Sequence, residues 1–118
     1  MINTEDKAVY LACGPTDMRK QIDGLAETVI SVFGLDAFSS ALFVFCNRKR
    51  DILRVLEWDT DGFWLHTKRL ERGHFMWPAD RGDQEAMGIS GPELLQVITN
   101  TALEKRFKGA EVSERAIY

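Results

Sequence analysis

Short apolar runs alternate with polar turns along this chain, and one longer stretch carries a helical stripe. Residues 1 to 6 predict a frayed start, and Val9-Tyr10-Leu11-Ala12-Cys13 predicts a buried strand. Gly14-Pro15-Thr16 breaks it, because proline fixes its own φ and glycine opens unusual backbone angles. Met18, Ile22, Leu25, Ala26, Val29, Ile30 and Phe33 then recur at the spacing of one helix face. Thr16 or Asp17 is suited to cap the first turn, and Gly34 sits where a left-handed residue ends a helix. Arg19, Asp23, Glu27 and Ser31 fall on the opposite, solvent-facing side.

The middle of the chain has strand character. Leu42 to Cys46 is apolar at both parities, as in a central strand covered on both faces. Asn47 to Asp51 is a charged turn, and Ile52 to Trp58 has the mixed pattern of a half-exposed strand. Asp59-Thr60-Asp61-Gly62 predicts a hairpin turn with Gly62 supplying the positive φ. Phe63 to Arg69 is the next strand, Glu71-Arg72-Gly73 turns the chain, and His74 to Trp77 is a last short strand stopped by Pro78. Strands joined by such short turns predict a four-strand antiparallel meander.

Ala79 to Ile89 is a polar connector without a clear period. Ser90-Gly91-Pro92-Glu93 then combines a serine cap, a proline near the first helical position and a glutamate three residues after the cap. Leu94, Leu95, Ile98 and Ala102 line one face of the helix that follows, Gly109 ends it, and the tail from Ala110 is expected to be loose. The expected fold is α+β: a mostly antiparallel sheet of about five strands (one strand, the long helix, then the four-strand meander) with a second helix near the C-terminus. The length suits one domain over 1–118, with 8–78 as the core and 79–118 as connector, helix and tail.

Charge narrows the function classes. The formal net charge is -3 and the pI about 5.4, unlike an autonomous nonspecific DNA binder, so any contact with nucleic acid must come from a local patch. Cys13 and Cys46 sit in apolar stretches without a Cys-x-x-Cys pair and are expected as reduced, buried thiols. No secretory leader is evident, and no apolar run approaches the roughly 20 residues of a membrane span, so a cytoplasmic protein is expected.

Candidate chemistry is sparse. Glu57, Asp59 and Asp61 form the best acidic cluster, but two-metal catalysis needs carboxylates converging on cations about 4 Å apart, and aspartate favours turns for its own reasons. His66 and His74, with Cys13 or Cys46, fit no familiar zinc spacing. Ser39 and Ser40 lack a nucleophile elbow. No catalytic residue, metal ligand or cofactor site is assigned.

The basic sets are Arg19 with Lys20, then Arg48, Lys49 and Arg50 with Arg54, then Lys68 and Arg69 with Arg72. Such turns can neutralise phosphates and release counterions. Trp58, Phe63, Trp64, Phe75 and Trp77 lie among them, and aromatics can stack on unpaired bases. Solvated turns and core aromatics explain the same residues, and composition leaves both readings open.

A resemblance carries the reading further. Asp17-Met18-Arg19-Lys20-Gln21-Ile22-Asp23-Gly24-Leu25, Asn47-Arg48-Lys49-Arg50-Asp51, Trp58-Asp59-Thr60-Asp61-Gly62-Phe63-Trp64-Leu65, Lys68-Arg69-Leu70-Glu71-Arg72-Gly73 and Phe75-Met76-Trp77-Pro78 occur in that order. Together they resemble the small TnpB accessory protein, the second-reading-frame product, of bacterial insertion sequences of the IS-sixty-six type (not the RNA-guided nuclease of the same name). The resemblance covers roughly positions 8 to 78. The family's leucine-rich helix ending in Gly-Ile-Asp is replaced here by Leu94-Leu95-Gln96-Val97-Ile98-Thr99-Asn100.

The resemblance implies a non-enzymatic helper of DNA transposition that works with a separate, larger transposase. The residues expected to contact phosphate are Arg48, Lys49, Arg50, Lys68, Arg69 and Arg72, with Arg19 and Lys20 secondary. The alternative is a protein adaptor that binds the transposase without touching DNA, docking through Ser90 to Phe107. A metal-dependent nuclease using Glu57, Asp59 and Asp61 is the third reading.

Overall fold

The computed structural model describes residues 2–82 and 84–99. Five strands and two helices follow in the order β1 (Val9–Ala12), α1 (Ile22–Ser31), β2 (Leu42–Cys46), β3 (Ile52–Asp59), β4 (Gly62–Arg69), β5 (Ala86–Ile89) and α2 (Gly91–Ile98). They form one sheet in the order β4-β3-β2-β1-β5. β1 and β2 are parallel, joined through α1, and every other pairing is antiparallel. The α+β class and the mostly antiparallel five-strand sheet therefore hold.

Alternation along the strands sorts the core into two layers. Leu11, Val44, Leu53 and Val55 point to one face and pack with Phe75, Trp77 and the α2 residues Leu94, Val97 and Ile98. Phe43, Phe45 and Leu56 point to the other and pack with Leu25, Ala26 and Val29 of α1. β2 is buried at all five positions, as expected of a strand covered on both sides.

Two elements depart from expectation. His74 to Trp77 is not a strand. Phe75, Met76 and Trp77 form an irregular buried plug, and the Trp77 indole N–H donates to the Ala12 carbonyl at 2.9 Å. An apolar run looks the same in sequence whether it ends as strand or plug. The fifth strand comes instead from the supposed connector: Ala86–Ile89 pairs with β1 at the far edge, Leu11 opposite Met87. The meander thus has three strands.

Smaller corrections have local causes. The stripe predicts helix from Met18, yet α1 starts at Ile22 with Gln21 as an N-cap that makes no side-chain bond. Arg54 on β3 explains the delay, since its guanidinium donates to the carbonyls of Met18 and Lys20 at 3.0 and 3.2 Å and holds that segment as a turn. Gly34 has a φ of +66°, as its position predicts. In the β3–β4 turn the positive φ belongs to Thr60, at 50°, and not to Gly62. Ser90 and Glu93 complete the expected capping box on α2. The expectations for Ala102, Gly109 and the tail from Ala110 lie outside the described residues.

Candidate nucleic-acid interface

The turn Asn47–Asp51 joins β2 to β3, and Asn47 organises it. Its Oδ1 accepts the N–H groups of Asp51 and Ile52, each at 3.0 Å, while its Nδ2 donates to the Asp51 carboxylate at 2.7 Å. An asparagine bonding its own turn in this way is the standard reason for the residue there. Arg50 closes the turn with a φ of +59°.

Two further segments are tied to this end of the sheet by backbone bonds. Thr16 N–H donates to the Cys46 carbonyl at 2.8 Å, Leu70 N–H to Asp51 at 2.7 Å and Phe75 N–H to Arg50 at 2.7 Å. The His74 ring nitrogen Nδ1 lies 2.6 Å from the Lys49 carbonyl, an acceptor, so that nitrogen carries the proton. Gly14, at φ +78°, lets the chain pass Asp80, because a Cβ built there would collide with the Cβ of Asp80.

Between these segments lies an open cleft of about 730 Å³. Arg19, Arg48, Lys49 and Arg69 line it, against the carboxylates of Asp17 and Asp51. Residues scattered over fifty positions of sequence thus meet at one place. Arg19 is held there by Asp17, with the guanidinium Nη2 2.7 Å from Oδ2 and the backbone N–H 2.9 Å from Oδ1. The hydrogen bond from the Arg19 side chain brings the Asp17 carboxyl down to about 2, and the same bond raises Arg19. Arg69 reaches Glu71 at 3.3 Å. The side chains of Arg48 and Lys49 are exposed and have no hydrogen bond or ion pair among the described residues. A cation without a protein partner gives up no ion pair when a phosphate replaces its water.

The other expected phosphate contacts lie elsewhere. Arg50 faces a neighbouring hollow of about 290 Å³, shared with Arg48 and Asp80. Lys68 points to the opposite side of β4 and donates to the Ile98 carbonyl at 2.6 Å, closing the C-terminal end of α2. Strand alternation required Lys68 and Arg69 to part in this way. Lys20 donates to the Thr28 hydroxyl at 3.0 Å on α1, and Arg72 is exposed outside the cleft lining. Arg54 serves the turn before α1, and its buried Nε has no hydrogen-bond partner among the described residues.

None of the five aromatics suggested for stacking lines the cleft. Phe75 and Trp77 belong to the core, and Trp58, Phe63 and Trp64 lie at the other end of β3 and β4.

The acidic cluster is likewise separated. β3 runs through Trp58, so Glu57 and Asp59 do share a face. Glu57 receives Lys7 at 2.5 Å and His66 at 2.8 Å. Burial alone would raise its carboxyl, but the bonds from Lys7 and His66 outweigh burial and hold it below the ordinary value. Asp59 accepts the Trp64 indole N–H at 3.2 Å. Among the described residues no three His, Cys, Asp or Glu side chains are grouped to hold a metal ion. Cys13 and Cys46 form no disulfide among the described residues, Cys13 is half-buried, and burial pushes Cys46 up to about 12. Among the described residues no helix is long and apolar enough to cross a membrane.

Comparison with known proteins adds to this geometry. The sequence model of the family described as IS66 Orf2 like protein matches residues 7–107, well past the Pro78 limit of the motif resemblance. The chain is 40% identical over 91 residues to the uncharacterized protein y4hO of Sinorhizobium fredii (strain NBRC 101917 / NGR234), covering 77% of each chain. It is 37% identical over 70 residues to the uncharacterized protein y4jC of the same organism, covering 59% of this chain and 60% of that one. No solved structure matches.

Proposed function

This chain belongs to the IS66 Orf2-like family, insertion-sequence accessory proteins, and from that premise we propose that it is a non-enzymatic helper that holds the DNA backbone in its basic cleft. The observation that carries the reading is the meeting of Arg19, Arg48, Lys49 and Arg69 in one cleft of a chain whose net charge is -3. In such a chain a local excess of cations is a patch and not a general property. Phosphate binding there would release counterions and so weaken with salt. Among the described residues no aromatic ring lines the cleft, which favours duplex backbone over unpaired bases, since those need stacking platforms. The partner is the transposase of the same element.

The test is an anisotropy titration of the full chain against duplex DNA carrying the element's end, a scrambled duplex and a single strand, at several salt concentrations. We expect duplex binding that falls steeply with salt. The double variant Arg48→Glu, Lys49→Glu should reduce the slope of log K against log salt by about 2, one unit for each lost phosphate contact. An unchanged slope would remove this cleft from the interface, and no binding at low salt would leave the adaptor reading in its place.

The adaptor reading in its original form named Ser90 to Phe107 as the dock. Leu94, Val97 and Ile98 are already buried against the sheet, so the apolar face of α2 is occupied within the chain itself. Residues 100 to 107 of that segment lie outside the described residues.

A further inference from the structure

Among the described residues four large hydrophobic side chains are more exposed than buried packing would allow: Ile30 at 46%, Val32 at 45%, Phe38 at 53% and Trp64 at 57%. All four lie toward the same end of the strands, with Trp64 on the opposite face of the sheet from Phe38. α1 starts beside the basic cleft and returns the chain to the beginning of β2, where Leu42 pairs with Glu57. Ile30 and Val32 therefore end the helix at the end of the sheet that carries Trp58, Phe63 and Trp64. The cleft lies at the opposite end of β3, about 24 Å away at the usual rise per residue.

Phe38 is not a stray ring. Its centroid is 5.0 Å from that of Trp58 and 5.4 Å from that of Phe63, and Trp58 and Phe63 are 5.0 Å apart. Three rings in mutual contact form a preorganised apolar platform that remains open to solvent at Phe38. Asp36 and Asp61 flank it, and Asp59, whose side chain shares the opposite face with Glu57, stands at the same turn. Asp36 accepts the Phe38 N–H at 2.9 Å, and Asp59 and Asp61 belong to the turn between Trp58 and Phe63. All three carboxylates are exposed, and none is ion-paired among the described residues.

We propose that this end of the β3–β4 hairpin docks a protein segment that combines apolar side chains with lysine or arginine. An exposed ring backed by two half-buried ones offers large contact area at small entropic cost, as protein interfaces do. The unpaired carboxylates decide the class of partner. They repel phosphate, which argues against stacking of nucleic-acid bases on the same rings, and they attract a basic segment. The inference uses none of the cleft's cations. In taking the transposase as the carrier of that segment, it rests on the accessory reading above.

The test measures binding of purified transposase from the same element to the immobilised full chain, with duplex DNA binding and a thermal melt run in parallel. Phe38→Ser removes an exposed ring, and Asp61→Lys keeps the rings but reverses a carboxylate. Each variant should weaken transposase binding by at least about tenfold, the size expected of an interface anchor. Phe38→Ser should leave DNA binding nearly unchanged and lower the melt only modestly, since it gives up the two ring contacts to Trp58 and Phe63. Undiminished transposase binding in both variants would overturn the inference and leave the accessory reading standing. No transposase binding by the unmodified chain would overturn both. A Phe38-dependent dimer in sedimentation would show that a second copy is the occupant and overturn the inference as well.

Discussion

The two ends of β3 are built by different means. At one end Asn47, Thr16, Leu70 and Phe75 knit three segments together through backbone and amide hydrogen bonds. The rigid frame leaves Arg48 and Lys49 free to face solvent. At the other end the turn is short, and Phe38, Trp58 and Phe63 hold one another by ring contact. Hydrogen bonds fix direction, so they suit a surface that must present charges at set positions. Ring packing tolerates small shifts, so it suits a surface that accommodates another chain.

The sharpest way to break the contrast is to remove the anchor beneath the basic end. Trp77 is 3% exposed and holds the Ala12 carbonyl, with Pro78 beside it accepting the Gly14 N–H. Trp77→Ala should destabilise the fold by about 3–5 kcal/mol, as large-to-small core changes do, and be visible as a lower urea midpoint. A loss under about 1 kcal/mol would mean that the plug is not part of the core.

Asn47→Ala asks a finer question, since it removes no charge. Two turn N–H groups lose their acceptor, at a cost of about 2 kcal/mol in chemical denaturation. DNA affinity should fall with it although every cation of the cleft remains. Unchanged affinity would show that the turn need not be rigid to bind.

The smallest effect belongs to Glu57, near the ring end. Its folded-state carboxyl is held below the ordinary value, so its contribution is complete above the unfolded value, near 4.5, and is lost as pH falls through the lower, folded one. The stability difference between the unmodified chain and Glu57→Gln should shrink on going from pH 7 into that acid window. A difference that grows on acidification would contradict the ion-pair geometry with Lys7 and His66.

Local signals were legible in the sequence where one short segment contained the whole cause. The α2 cap was legible because serine, proline and glutamate act within four residues. The α1 stripe was legible too, but its start was not, since Arg54 stops it from 34 residues away. Ala86–Ile89 gave no signal because its partner β1 lies more than seventy residues earlier. The candidate site divides in the same way. Arg48 and Lys49 announced themselves as a charged turn, while their meeting with Arg19 and Arg69 depends on strand register. Lys68 could have been set apart from Arg69 by alternation alone.

The central place of β1 has a consequence for synthesis. Of the five described strands it leaves the ribosome first but is paired on its outer side only by β5, so that edge stays open until residues 86–89 emerge. At about 5–20 residues per second the wait is roughly 4–15 s. During it, Tyr10 and Leu11 offer a bare strand edge to any nascent neighbour, which makes the order of emergence, and not the finished fold, the hazardous stage for this protein.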